Sequence, residues 1–197
     1  MRTILALLLA LACGASLAHK DQKAERGWER IEANEPAPAF SLVNQDAKRV
    51  ALKDLRGTPV VLTFLYTTCT DVCPVLLHLL VSAEQQLGEA ERSAARFIGI
   101  TVDPRRDTPE RLKAYMKERG LDAARWQLLT GSLAEVTRVA ADYGVVVRPA
   151  PRGDFVHNSV FVVIDAQGRE RAEFHGVATP PAAIAGELRK LLKECAK

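Results

Sequence analysis

The chain has 197 residues, 48% of them hydrophobic and 26% charged, which is the make-up of a globular protein with one domain's worth of core. Its formal net charge of +3 gathers in no basic block and aromatic residues are only 6%, which excludes the charged, stacking surface of a nucleic-acid binder.

Residues 1–18 read as an export signal. Arg2 gives a positive start, residues 4–12 form an unbroken apolar run, and Ser16-Leu17-Ala18 supplies the small residues of a cleavage site. The apolar run falls well short of the roughly 20 residues that a bilayer span needs. Ala10-Leu11-Ala12-Cys13-Gly14 also resembles a bacterial lipobox, with Ala10 where Leu is preferred, and lipidation at Cys13 would tether the protein to a membrane surface. Residues 19–35 are polar and read as a linker, and residues 36–197 as the folded domain. The expected location is therefore the periplasm, reached by export, with membrane attachment only through the N-terminus. Thiols exported from the cytoplasm are oxidised unless a reductant or a metal holds them, so the use of cysteine is informative.

The domain opens with two apolar pieces, 40–43 and 49–52, around the polar turn Asn44-Gln45-Asp46, which predicts a hairpin. Gly57-Thr58-Pro59 then introduces a nearly continuous apolar run over 60–66, the pattern of a strand buried on both faces. Pro74 marks a helix start, and Val75, Leu76, Leu77, Leu79, Leu80, Ala83 and Leu87 make a helical stripe that stops at Gly88. The alternation continues with strand 97–102, helix 108–119, strand 126–129, helix 133–143, strands 159–164 and 171–174, and helix 181–194. Asp107 or Thr108 before Pro109-Glu110, and Ser132 three residues before Glu135, supply the helix starts. This is an α/β pattern.

Cys69 and Cys73 lie between the buried strand and the Pro74 helix, in Thr67-Thr68-Cys69-Thr70-Asp71-Val72-Cys73-Pro74. The amino end of a helix, with its unsatisfied N–H groups, favours thiolate over thiol and so makes such sulfurs nucleophilic and metal-binding. Four-residue spacing brings two Cα atoms to about 6 Å, which suits either a disulfide or one ion shared between two sulfurs. Two thiolates select Cu(I), zinc or iron–sulfur chemistry, and the last two ordinarily want four protein ligands. With only two clustered cysteines, copper is favoured. A structural disulfide is the competing reading, weakened because so short a loop removes little chain entropy. Cys195, on the terminal helix, stands alone as a free thiol.

Of the four histidines, His19 falls in the N-terminal segment, His78 in the apolar stripe as a partly buried helix residue, and His175 at a turn after a strand. His157 follows the Pro/Gly-rich loop 149–154 and precedes the apolar run 160–164, which puts it in a loop at a strand edge.

Together these segments resemble the Sco/SenC family of copper proteins. The stretch from Phe64 to Pro74 is similar to that family's Cys-x-x-x-Cys-Pro signature, Asp103-Pro104-Arg105-Arg106-Asp107-Thr108-Pro109 is similar to its Asp-Pro-x-Arg-Asp-Thr-Pro segment, and His157 lies at the expected distance downstream. The resemblance implies a thioredoxin-like three-layer sandwich, a central mixed sheet with flanking helices and an N-terminal hairpin. It also implies copper held by Cys69, Cys73 and His157, and delivery of that copper to the copper-bearing subunit of cytochrome c oxidase or to another periplasmic copper or thiol protein. This chain departs from the pattern beside the histidine, with Val156 where many members have Asp, and Asn158 where they have Ser or Thr. Asp71 and Asp154 are candidate extra ligands or outer partners of the ligands, against the simpler reading of each as a solvated loop carboxylate. The same thiols suit a thiol–disulfide reductase or a redox or copper sensor, so Cys69 and Cys73 are also the candidate redox pair. A peroxiredoxin is disfavoured, because the residue three before Cys69 is Tyr66 rather than Thr.

Overall fold

The computed structural model describes residues 27–195, so the export signal, Cys13 and His19 lie outside the described residues. Ten strands and five helices run in the order β1 (Glu29–Glu32), β2 (Ser41–Asn44), β3 (Arg49–Ala51), β4 (Val60–Leu65), α1 (Val72–Gln85), α2 (Glu89–Ser93), β5 (Arg96–Thr101), α3 (Pro109–Glu118), β6 (Trp126–Thr130), α4 (Leu133–Asp142), β7 (Val147–Pro149), β8 (Phe155–His157), β9 (Val160–Ile164), β10 (Glu170–His175) and α5 (Pro181–Cys195). Eight strands make one mixed sheet in the order β1-β10-β9-β4-β5-β6-β2-β3, and β7 and β8 form a separate two-stranded ribbon. The expected mixed sheet with flanking helices, with β2 and β3 as its hairpin, is therefore present.

β4 sits at the centre, parallel to β5 on one side and antiparallel to β9 on the other. All six of its residues are buried, and its one polar side chain, Thr63, donates to the Val160 carbonyl at 2.8 Å. Such a strand reads as a continuous apolar run because both of its faces are covered. Gly99 on β5 lets the neighbours close in, since a Cβ there would meet Leu128 Cδ2 at 2.6 Å and Leu65 Cδ2 at 3.0 Å. On α1, Leu76, Leu77, Leu80 and Ala83 are buried. This helix packs against α5 and β4, so the end of β4 and the start of α1 are held as one rigid corner. Helix α3 starts on Thr108, whose hydroxyl accepts from the Arg111 amide, with Pro109 in the first turn; α4 starts on the reciprocal Ser132–Glu135 box.

Besides the short helix α2, which the sequence reading left unassigned, three segments differ from it. Residues 29–32, read as part of the linker, pair antiparallel with β10 as an edge strand. Their charged Glu-Arg-Ile-Glu sequence hides a strand that has only one sheet neighbour. Helix α1 begins at Val72, two residues before Pro74; a proline is tolerated in the first turn because its missing N–H has no acceptor there. Residues 149–154, read as a loop leading to His157, belong to the β7–β8 ribbon over 147–157, turned by a single 3-10 turn at Pro151–Gly153 in which Gly153 takes a φ of 76°.

Candidate metal centre

The rigid corner between β4 and α1 presents the cysteines. Tyr66 leaves the end of β4, its carbonyl accepts from the Cys69 amide at 3.2 Å, and Cys73 follows as the second residue of α1. Cys69 thus lies on a turn ahead of the helix rather than on a helical turn with Cys73. Its sulfur receives the Cys73 backbone N–H at 3.4 Å, so the helix amino end acts directly on that sulfur.

The two thiols are unequal, where the sequence reading treated them alike. Burial pushes the Cys69 thiol up, but hydrogen bonds from the Cys73 thiol, from the Cys73 and Asp71 amides and from Tyr66 outweigh it and leave Cys69 below the usual thiol range. Cys73 is 1% exposed, and burial, reinforced by its hydrogen bond to Cys69, drives its thiol well above that range. Cys69 is the half-exposed, thiolate-prone member and Cys73 the buried, protonated one. Both are free thiols in this structure, as is Cys195, which is exposed on the last turn of α5.

His157 reaches the same place from the ribbon. Its Nε2 lies 3.8 Å from Cys73 Sγ, and its Nδ1 is 3.0 Å from the Asn158 carbonyl. A carbonyl only accepts, so Nδ1 carries the proton and Nε2 turns its lone pair toward the sulfur. Burial lowers the His157 pKa, which keeps the ring neutral and available as a ligand or proton acceptor. Together with Tyr66, Asp154 and Phe155, the three residues line a cleft of about 240 Å³.

Zinc bonds thiolate at about 2.3 Å and imidazole at about 2.0 Å, and at such lengths an ion held by both can span up to about 4.3 Å between sulfur and nitrogen. The 3.8 Å separation of Cys73 and His157 fits such an ion at a bent angle. Among the described residues no three His, Cys, Asp or Glu side chains are already arranged to hold a metal ion. Two sulfurs and one imidazole are a soft donor set, which selects copper over the hard cations.

The other sequence candidates take lesser places. Asp71 precedes the first residue of α1 and is exposed at the cleft; Asp154 also lines it, 3.9 Å from an Arg106 nitrogen. His78 is exposed rather than partly buried, and His175 closes β10 with Nε2 at 2.6 Å from Glu173. Sequence reasoning passed over the residues that hold the site together. The Tyr66 hydroxyl donates to the Phe155 carbonyl at 3.0 Å, and its ring meets the Phe155 ring edge-on at 5.8 Å. Asn158 closes the base of the ribbon, accepting from the Val146 amide at 2.8 Å and donating to the Gly144 carbonyl at 3.2 Å. Asp107, fully buried, anchors the cysteine loop through Thr67. The available signal was a tyrosine placed directly at the end of a buried strand.

The chain is similar to known proteins in sequence and in fold. The SCO1/SenC family model matches residues 29–193. The SCO1 protein homolog of Bacillus subtilis is 30% identical over 145 residues, covering 72% of this chain and 75% of that relative. Among solved structures, a SCO1/SenC family lipoprotein from Bacillus anthracis superposes with a TM-score of 0.71 at 30% identity, over 83% of this chain and 98% of its own. Bradyrhizobium japonicum ScoI, solved with copper bound, does so with a TM-score of 0.68 at 30% identity, over 79% and 99%.

Proposed function

Because the chain belongs to the SCO1/SenC family, we propose that it is an exported copper chaperone that holds copper between Cys69, Cys73 and His157 and passes it to the copper centre of cytochrome c oxidase. The observation that carries the reading is the meeting, in one cleft, of two thiol sulfurs on the β4–α1 corner with His157 Nε2 on the ribbon, 3.8 Å from Cys73. The copper-bound Bradyrhizobium neighbour supports the choice of cargo. Copper supplies the soft acid that two thiolates and an imidazole satisfy, and as cargo it must leave as well as bind. Cys73 gives up its proton on ligation, so binding strengthens as pH rises. The half-exposed Cys69 and His157 face the partner, and the buried Cys73 remains behind them.

A second activity is favoured by the inequality of the thiols. In the reduced protein, the Cys69 thiolate attacks one sulfur of a target disulfide and releases the other as a thiolate. Cys73 then gives its proton to His157 Nε2 and attacks Cys69, freeing the second target thiol and leaving a Cys69–Cys73 disulfide; two electrons have moved to the target. Reduction of this kind would prepare an oxidised copper site to receive metal.

The test is copper titration of the reduced protein beside Cys69→Ala, Cys73→Ala and His157→Ala. One equivalent of Cu(I) is expected in the wild type and the histidine variant, none at comparable affinity in either cysteine variant, and weaker Cu(II) binding without His157. If the histidine variant binds Cu(II) like the wild type, His157 is not a ligand. If the wild type holds no copper, the reductase reading replaces the chaperone. Export is supported by the lipoprotein character of the Bacillus anthracis neighbour, either with cleavage after residue 18 or with cleavage before Cys13 and a lipid tether on that cysteine. The N-terminus of the mature protein, read by mass spectrometry, decides it. Among the described residues no helix is long and apolar enough to cross a membrane.

A further inference from the structure

Three attachments hold the ribbon that carries His157: Asn158 at its base, Tyr66 at Phe155, and Arg106 at its tip. The third has an unusual construction. Asp103, buried at the end of β5, accepts from Arg106 Nε and fixes the guanidinium plane. Asp103 is itself held, because its amide donates to Thr101 Oγ1 at 2.9 Å. The far end of the guanidinium is left to reach the ribbon, where Nη2 donates to the Gly153 carbonyl at 2.8 Å in the turn between β7 and β8. The guanidinium carbon lies 5.9 Å from the ring centroids of both Tyr66 and Phe155, within cation–π range of each. One side chain thereby spans the β5–α3 turn, the residue that leads into the cysteine loop, and the ribbon.

We propose that Arg106 is a positioning residue for the site, a clasp that holds the His157 ribbon against the cysteine corner and so sets how His157 meets Cys73. The inference rests on the reading of Cys69, Cys73 and His157 as copper ligands. The clasp needs the forked head of arginine: Nε is occupied by Asp103 while Nη2 is occupied by Gly153. Lysine carries the same charge on a single nitrogen and cannot serve both places at once. The two cysteines lie on the other side of the clasp, anchored through Thr67 and α1, so its loss acts on the histidine arm and spares the thiol pair.

The experiment compares wild type, Arg106→Lys and Arg106→Ala in three measurements. With copper, Cu(II) affinity by chelator competition is expected to fall roughly 10- to 100-fold in both variants, the usual effect of removing a group that orients a ligand. Their Cu(II) electron paramagnetic resonance spectra are expected to move toward that of His157→Ala, while Cu(I) affinity stays within about threefold of wild type. Without copper, amide hydrogen exchange over residues 147–157 is expected to quicken at least tenfold, with β4 and β5 unchanged. Wild-type behaviour of Arg106→Lys in exchange and Cu(II) binding overturns the clasp, since charge alone would then suffice. An equal loss of Cu(I) and Cu(II) binding also overturns it, because the residue would be supporting the whole corner. If the wild type binds no copper, the ligand reading fails, and the exchange measurement alone decides whether Arg106 holds the ribbon.

Discussion

Replacing Asp107 by Asn leaves the shape of the side chain and removes its charge at a position with no solvent exposure. The carboxylate accepts three hydrogen bonds: from the Thr67 amide at 3.0 Å, from the Thr67 hydroxyl at 2.5 Å and from the Thr101 hydroxyl at 2.5 Å. Hydrogen bonds to a charged group contribute about 1.5–3 kcal/mol each and neutral ones about 1, so three downgraded bonds cost about 1.5–6 kcal/mol. The amide nitrogen adds a mismatch, because it brings hydrogens to a side that meets donors only. The Thr67 hydroxyl cannot turn freely to compensate, since it also accepts from Arg111 Nε at 3.2 Å. Relief from burying a neutral group instead of an ion works the other way and places the expected loss toward the lower half of that range. Urea unfolding followed by the fluorescence of the buried Trp126 measures it, with a melting-temperature drop on the order of 5–10 °C for a domain of this size. Thr101→Val removes one of the three bonds and also the acceptor of the buried Asp103 amide, and is expected to cost about 2–4 kcal/mol. A loss below about 1 kcal/mol for Asp107→Asn would refute the idea that this carboxylate is the anchor of the cysteine loop.

Three further outcomes are expected. In a Cys195→Ser background, iodoacetamide should modify Cys69 first, at a pH below that of an ordinary thiol, with Cys73 following only at higher pH or on unfolding; mass spectrometry of the modified peptides shows the order, and equal rates would contradict the inequality described above. Gly99→Ala should destabilise the protein by about 1–3 kcal/mol in the same urea assay, because its methyl group runs into Leu128 and Leu65 in a packed core. Burial, reinforced by Glu173, pushes the Glu170 carboxyl up to about 7. The folded state therefore holds a proton that the unfolded state releases near the ordinary carboxyl value of 4.5, so stability falls as pH rises between those values. Glu170→Gln should flatten that fall and gain on the order of 2 kcal/mol or less at pH 8 once partial exposure is allowed for; an unchanged slope in unfolding experiments from pH 5 to pH 8 would rule the effect out.

The centre of the fold was legible because its signals are local. The apolar run that becomes β4 announces burial on both faces, and Ser132 with Glu135 announces the start of α4. The cysteine pair was legible for the same reason, since a buried strand running into Pro74 can lead only to a strand–helix corner. The ribbon was not. Pro149, Pro151 and Gly153 are residues of loops, and the two three-residue strands that they flank become a ribbon through Tyr66, Arg106 and Asn158, whose sequence positions give no hint of where they meet. The unequal thiols were hidden as well. Proximity to a helix end was visible, but the burial that reverses its effect at Cys73 comes from the packing of α1. Val156, where the histidine's neighbour departs from the family pattern, is 62% exposed on the ribbon's outer face, so that departure alters the rim of the cleft and leaves its interior as it was.

Cys73 and His157 are 84 positions apart along the chain, whereas the two cysteines are separated by four. Under the reading proposed above, a chain that has not yet folded already owns a two-armed grip on copper, written into a few neighbouring residues. The third arm arrives only when β9 has zipped antiparallel onto β4 and the ribbon has closed over the corner. A metal that needs all three arms therefore inspects the finished topology before it stays, and its binding energy goes to molecules that are completely assembled. Cargo taken by two arms can be handed on without that check, so the third ligand separates mere capture from custody.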